Sequence, residues 1–281
     1  MAETLEVKGL AVPSTMYGTA WKEERTEALT RMALAEGIRA IDTANQRKHY
    51  FEAGVGSAVK AFLAETGARR EELFLQTKFT YARGQDHRLP YDPKADFATQ
   101  VCQSFASSLE HLGTSYLDSY VLHGPASGYG LTEADVVVWR AMEEHHASGG
   151  CRLLGVSNVS LEQLVSLERL AEVKPAFVQN RCFARSGWDR EVRGFCREHG
   201  LVYQGFSLLT ANARELDTVA MRELASRHAC TPAQLVFRFA RAVGMLPLTG
   251  TSSAVHLRED LAAAPSAMSE AELDLIERIA G

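Results

Sequence analysis

Short, almost unbroken apolar runs alternate along this chain with longer segments whose apolar residues recur at three and four. IRAID (38–42) follows the helix-period segment RTEALTRMALAEG, which stops at Gly37. LFLQTKF follows FEAGVGSAVKAFLAETG, and LDSYVLHG follows ADFATQVCQSFASSLEHLG. RLLGVSN, AFVQN, LVYQGFS and MLPLTG repeat the pattern. The last of these follows TPAQLVFRFARAVG, where Thr231 is placed as N-cap and Pro232 at the first helical position. One more short run near Leu261 to Ala264 is read as the remaining strand, ahead of a final helix over SEAELDLIERIAG. Strands apolar nearly throughout belong to a parallel sheet covered on both faces. About eight of them, alternating with helices, predict an α/β chain folded as one (β/α)8 TIM barrel over residues 1–281. An open doubly wound sheet is the alternative, but no GxGxxG follows a strand, and GVG at 54–56 sits inside a helix-like segment.

A barrel of roughly 250 residues accounts for nearly all of the chain, and an apolar share of 46% supplies its core. A net charge of −5 without a Lys/Arg run argues against nucleic acid or an anionic membrane as partner. No apolar stretch approaches the roughly 18 residues of a membrane span, and MAETLEVKGLAVP lacks the basic-then-apolar order of a signal peptide. The cysteines show no CxxC spacing. They read as reduced thiols in a cytoplasmic protein, with no metal site.

In such a barrel the active site forms at the C-terminal ends of the strands. Those ends carry Asp42, Lys78, His123, Ser157 with Asn158, Gln179 with Asn180, and Ser207. Each has a structural alternative. Asp42 suits an Asx-turn or helix cap, Lys78 a strand leaving the core, His123 a hydrogen-bonded structural role, and Asn158 the N-cap of the next helix. Together they share one chemistry. A Lys beside a buried Asp stays charged and lowers the pKa of a nearby Tyr toward working pH. Such a Tyr gives a proton to a carbonyl oxygen as hydride reaches the carbon, and a neighbouring His orients that oxygen.

GTAWK (18–22), GIRAIDTA, LFLQTKF, LDSYVLHGP, RLLGVSN, FVQN and LVYQGFS follow one another as the motifs of the aldo-keto reductases do, and the chain resembles that family over nearly its whole length. The resemblance implies an Asp-Tyr-Lys-His tetrad, of which Asp42, Lys78 and His123 are read directly. It implies reduction of an aldehyde or ketone with NADPH, NADH being the alternative. It places Ser157, Asn158 and Gln179 on the nicotinamide carboxamide and Phe206, in place of the usual Tyr, on the ring. Gly18, Thr19 and Ala20 belong to the same end of the cofactor, and Ser207 and Leu208 follow Phe206 along it. Gly250, Thr251, Ser252, His256 and Asp260 fall at its far end.

The chain departs from the family at three points. The family's tyrosine position falls on Arg47, while counting back from EAGVG reaches His49 with Tyr50 beside it, so this loop is longer. Tyr50 is taken as the proton donor and His49 as its rival, with His49, Trp21 and Phe51 on the substrate side. Arg47 and Lys48 border the mouth, either as contacts for an anionic substrate or as solvated loop charges. At the far end Gly250 stands for the family's Lys, Thr251 for its Ser, His256 for its Arg and Asp260 for its Asn. The Gly-Thr-Ser-Ser turn, and Arg258 if it turns inward, are left to hold phosphate. The long C-terminal loop of some members is missing, so segment 80–93, Trp21, Phe51 and Trp188 are expected to shape an open pocket.

The expected partner is a small-molecule carbonyl compound, reduced by a monomer or weak homo-oligomer. Two other classes stay open: a cofactor-binding regulatory or redox-sensing subunit with little turnover, and Schiff-base catalysis by Lys78.

Overall fold

All six residues of Phe74–Phe79 are buried in the structure, a computed structural model that describes residues 3–263 and 268–280. A strand hidden on both faces needs helices outside it and packed side chains inside. After an antiparallel hairpin of β1 (Thr4–Val7) and β2 (Leu10–Pro13), the barrel strands are β3 (Met16–Gly18), β4 (Ala40–Asp42), β5 (Phe74–Phe79) and β6 (Leu117–Leu122). They continue as β7 (Cys151–Ser157), β8 (Phe177–Arg181), β9 (Val202–Phe206) and β10 (Met245–Thr249). Each pairs in parallel with the next, and β10 closes on β3 through Leu248↔Met16 and Thr249↔Tyr17. This is the (β/α)8 barrel that the alternation predicts. Thr231 caps the helix Pro232–Ala242 in a box with Gln234, as its sequence implies.

The eighth strand is not where the sequence reading placed it. Leu261 and Ala262 end the helix Ala254–Ala262, and Ala264 lies outside the described residues. Met16–Gly18 completes the barrel instead, a strand too short to display a period. β4 is also shorter than 38–42. The hairpin ahead of β3 turns on Lys8 and Gly9, both left-handed (φ 49° and 81°), as a two-residue hairpin turn requires.

Alternation along β5 sorts its residues into two environments. Phe74 joins Val7, Val12, Met16, Phe177 and Leu246 in an apolar cluster at the N-terminal end of the barrel, which the hairpin covers. Gln76 and Lys78, of the same parity, follow toward the C-terminal end. Leu75 and Phe79 belong to the larger cluster shared with Val55, Val59 and Val101 of the surrounding helices. Among the described residues no helix is long and apolar enough to cross a membrane.

Candidate active site

The β4–β5 register sets Asp42 beside Gln76, and Lys78 lies one inward position further on. Lys78 Nζ donates to Asp42 Oδ1 (2.6 Å), to Asp42 Oδ2 (2.7 Å) and to the Thr43 carbonyl (2.8 Å), so each ammonium hydrogen has an acceptor. Asp42 Oδ1 also accepts from Gln76 Nε2 (2.8 Å) and Gln179 Nε2 (3.0 Å). Both amides donate to Gln204 Oε1 as well (2.8 and 3.0 Å). Desolvating a buried ion pair costs several kcal/mol per ion, and hydrogen bonds to the remaining lone pairs are what offset it; this network supplies them. The sequence reading did not single out Gln76 or Gln204. Their signal is a Gln at an inward position of an otherwise apolar strand, in FLQTKF and LVYQGFS.

Tyr50 stands over this pair. Lys78 Nζ lies 5.1 Å from the centroid of its ring, and the ring meets that of His123 edge-on, with centroids 5.9 Å apart at 70°. The longer loop makes the approach possible. The N–H groups of His49 and Tyr50 both donate to the Gln46 carbonyl (3.0 and 2.9 Å), winding the extra residues into a tight turn. That turn sends His49 elsewhere. Its ring lies on Trp21, with centroids 3.9 Å apart, its Nδ1 is 2.9 Å from Gln46 Oε1, and its carbonyl accepts the Trp21 N–H (2.7 Å).

The electrostatics reverse one expectation. Burial, with the Asp42 carboxylate adding to it, holds the Tyr50 phenol well above the usual phenol range, where the sequence reading has Lys78 lowering it. Lys78 gives its three hydrogens to Asp42 and Thr43 and none to the tyrosine hydroxyl, so nothing from it offsets the burial. Burial pushes Lys78 below the usual lysine range, opposed by Asp42. Burial, then the Lys78 charge, pushes His123 well below 6.5, so its imidazole is neutral at pH 7. Thr80 Oγ1 lies 2.7 Å from His123 Nδ1, which leaves Nε2 as the ring nitrogen open to a ligand.

A cavity of about 610 Å³ extends from the tetrad. Tyr50, His123, Ala20, Trp21, Ser157, Gln179 and Phe206 line one end, with Gly18; Ser207, Leu208, Gly250, Thr251, His256 and Asp260 line the rest. Thr231, Phe237 and Glu259 also line it, and nothing in their local sequence marks them. Other expected residues lie elsewhere. Thr19 is buried and donates to the Asp42 carbonyl (2.9 Å). Ser252 is exposed outside the cavity. Asn158, left-handed at φ 51°, donates to the His123 carbonyl (2.8 Å) and to Ser157 Oγ (3.1 Å), and lines a neighbouring cavity. The N-cap of the following helix is Ser160, two residues beyond Asn158. His49 and Phe51 do not line the tetrad cavity. Phe51 lies under the Arg47 guanidinium (4.4 Å), which pairs with Glu24, while Lys48 is exposed. Trp188 is core: its Nε1 donates to the Ile276 carbonyl (2.8 Å) and its ring packs on Phe239. Of segment 80–93, Thr80, Tyr81, Arg83 and Gly84 line the neighbouring cavity.

The tetrad end suits a nicotinamide, with Phe206 for the ring and the polar groups of Ser157 and Gln179 for its amide. The far end is acidic. Thr249 Oγ1 donates to Asp260 Oδ2 (2.6 Å), burial pushes that carboxyl up to about 6, and Glu259 stands beside it. Arg258 pairs outward with Glu36 (2.6 Å) and does not replace the lost cations. Among the described residues no Lys or Arg lines this cavity, but Lys22 Nζ donates to the carbonyl of its lining Gly250 (2.7 Å), so a phosphate there would meet His256, the Thr251 hydroxyl and backbone N–H groups with that one ammonium behind them. These donors fit a dinucleotide.

The Aldo/keto reductase family matches residues 8–280 of the chain. The glyoxal reductase of Bacillus subtilis is 28% identical over 256 residues, covering 91% of this chain and 83% of that protein. The NADPH-dependent alpha-keto amide reductase of Saccharomyces cerevisiae is 28% identical over 277 residues, 88% of this chain and 79% of that protein. Among solved structures, an aldo/keto reductase from Brucella melitensis superposes with a TM-score of 0.83 at 24% identity, over 99% of this chain and 100% of that one.

Proposed function

This chain belongs to the aldo/keto reductase family, and on that premise we propose that it reduces the carbonyl group of a small aldehyde or ketone to the alcohol, with NADPH as reductant. The observation that carries the reading is the Tyr50 ring standing over the Lys78–Asp42 pair and meeting neutral His123 edge-on.

NADPH, when bound, supplies hydride to the carbonyl carbon. The chain's own residues handle the oxygen. As the C=O pair moves onto it, the oxygen takes the Tyr50 proton. A phenol whose pKa is raised keeps that proton until the oxygen has become basic enough to claim it. The phenolate left behind recovers a proton from solvent. His123 donates from Nε2 to the same oxygen and fixes its position. Asp42, held by three donors, keeps Lys78 charged beneath the ring, and that cation stabilises the phenolate while it lasts. Ser157, Gln179 and Phe206, with Asn158 behind His123, hold the nicotinamide end.

The two other classes fare less well. A regulatory subunit has no need of an assembled tetrad, and an ammonium with all its hydrogens engaged has no lone pair for a Schiff base. Thiols that are all unpaired, four of them away from the exposed surface, suit a reducing compartment, and we place the chain in the cytoplasm as a monomer or weak homo-oligomer.

The test is NADPH oxidation with 4-nitrobenzaldehyde for the wild type, Tyr50→Phe and His49→Ala. Tyr50→Phe is expected to lose about 10²–10⁴ in rate, and His49→Ala to retain most of it. The opposite pattern would give the proton to His49. A wild type that binds NADPH and turns over no carbonyl compound would move the regulatory reading ahead.

A further inference from the structure

A second cavity, of about 650 Å³, opens beside the first, and His123 lines both. Its chemistry is different. Arg83, from the loop after β5, and Arg181, at the end of β8, line it along with Gln46, Ser127 and Ser186. The one carboxylate among its described lining residues is Asp189, whose Oδ2 already accepts from Asn180 Nδ2 and the Tyr203 hydroxyl, both at 2.9 Å.

Both arginines are exposed, and each has one contact that holds it at the cavity. Arg83 donates to the Pro125 carbonyl, which ties the loop after β5 to the loop after β6. Arg181 lies over the Phe183 ring (5.3 Å), and Arg185 lies over the same ring (4.8 Å), so a third positive charge shares that ring. An arginine has five N–H donors in a planar fork. One carbonyl contact leaves Arg83 most of its fork, and stacking leaves Arg181 all of it.

We propose that this cavity receives the far end of the substrate and that this end is anionic, a carboxylate or phosphate held by Arg83 and Arg181. The inference rests on the carbonyl-reduction reading above. A carbonyl oxygen placed on Tyr50 and His123 has two sides. The side lined by Phe206, Ser157 and Gln179 suits the nicotinamide, which leaves the arginine side for the rest of the molecule. Bidentate Arg contacts are the strong means of reading carboxylate and phosphate, and they set which carbonyl compound is preferred without touching the reacting atoms.

The experiment compares kcat/KM for butanal with 4-oxobutanoate, and for glyceraldehyde with glyceraldehyde 3-phosphate, in the wild type, Arg83→Ala, Arg181→Ala and Arg181→Lys. The wild type is expected to prefer the anionic member of at least one pair by about tenfold or more, and the pair showing it separates carboxylate from phosphate. Each Ala variant is expected to cut that ratio about tenfold, mainly through KM, with Arg181→Lys keeping part of it. The ratio is internal to each variant, so loss of folded protein does not move it. Equal kcat/KM within both pairs, or Ala variants that leave the ratio intact, would overturn the proposal while carbonyl reduction stands. No turnover of any of the four compounds would overturn both.

Discussion

Thr80 Oγ1 lies 2.7 Å from His123 Nδ1, a contact by which a residue outside the tetrad occupies that ring nitrogen and leaves Nε2 facing outward. The tautomer in which the hydroxyl donates to Nδ1 is the one that carries its hydrogen on Nε2, where a carbonyl oxygen needs a donor. Thr80→Val is expected to lower kcat about tenfold with little change in the Kd of NADPH, and Thr80→Ser to restore it. Stopped-flow turnover and fluorescence titration separate the two quantities. An equal fall in both variants would assign Thr80 to packing alone.

The pH profile follows from the two shifted groups proposed to meet the substrate oxygen. Tyr50 has its pKa raised, so it holds its proton well into alkaline solution; His123 has its pKa lowered, so it stays neutral well into acid. Reduction needs the protonated phenol and the neutral imidazole, and both forms persist across the neutral range. The kcat/KM for reduction is expected to be flat from about pH 6 to about pH 9. A basic limb centred near pH 8 would show that Lys78 lowers the phenol after all.

The Lys78–Asp42 pair makes a stability prediction. Lys78→Met leaves a buried carboxylate without its cation, which costs about 3–5 kcal/mol in urea unfolding. Adding Asp42→Asn removes the stranded charge while Gln76 and Gln179 keep an oxygen to bond, so the double variant is expected to recover most of the loss. Equal unfolding midpoints for the single and double variants would mean that the pair is not coupled. Both are expected to lose turnover.

At the far end of the cavity, Asp260 carries its charge above about pH 6 and stands where the family has an Asn. Asp260→Asn removes that charge and keeps an acceptor for Thr249. At pH 7.5 the ratio of NADPH to NADH affinity is expected to rise about threefold, and further with His256→Arg. Titration of nicotinamide fluorescence reads it directly. An unchanged ratio would mean that this carboxylate does not face the phosphate.

The barrel was legible in the sequence because a period repeated along most of the chain outweighs errors at single elements. The strand that was not, Met16–Gly18, is too short to carry a period, and the hairpin before it offers only a Lys-Gly turn as a signal. Asp42, Lys78 and His123 were legible for a related reason: a polar residue ending an apolar strand has few other places to go. Two things had no local signature. Gln76 and Gln204 meet across the barrel, 128 residues apart in the chain, and the sign of the Tyr50 shift depends on how far the fold buries the phenol and on the Asp42 carboxylate near it. Trp188 misled because the left-handed run Gly187, Trp188 and Asp189 (φ 64°, 55° and 58°) turns it into the core.

The β1–β2 hairpin, with Val7 and Val12 set into the apolar cluster at the N-terminal end, makes the barrel a vessel with a single mouth. Nothing passes through it. On the proposed mechanism, the proton that Tyr50 surrenders is replaced from the side on which the carbonyl compound arrives and the alcohol departs, so proton traffic and substrate traffic share one route. A molecule lodged at that mouth holds up both, and the catalytic cycle restarts only when it leaves.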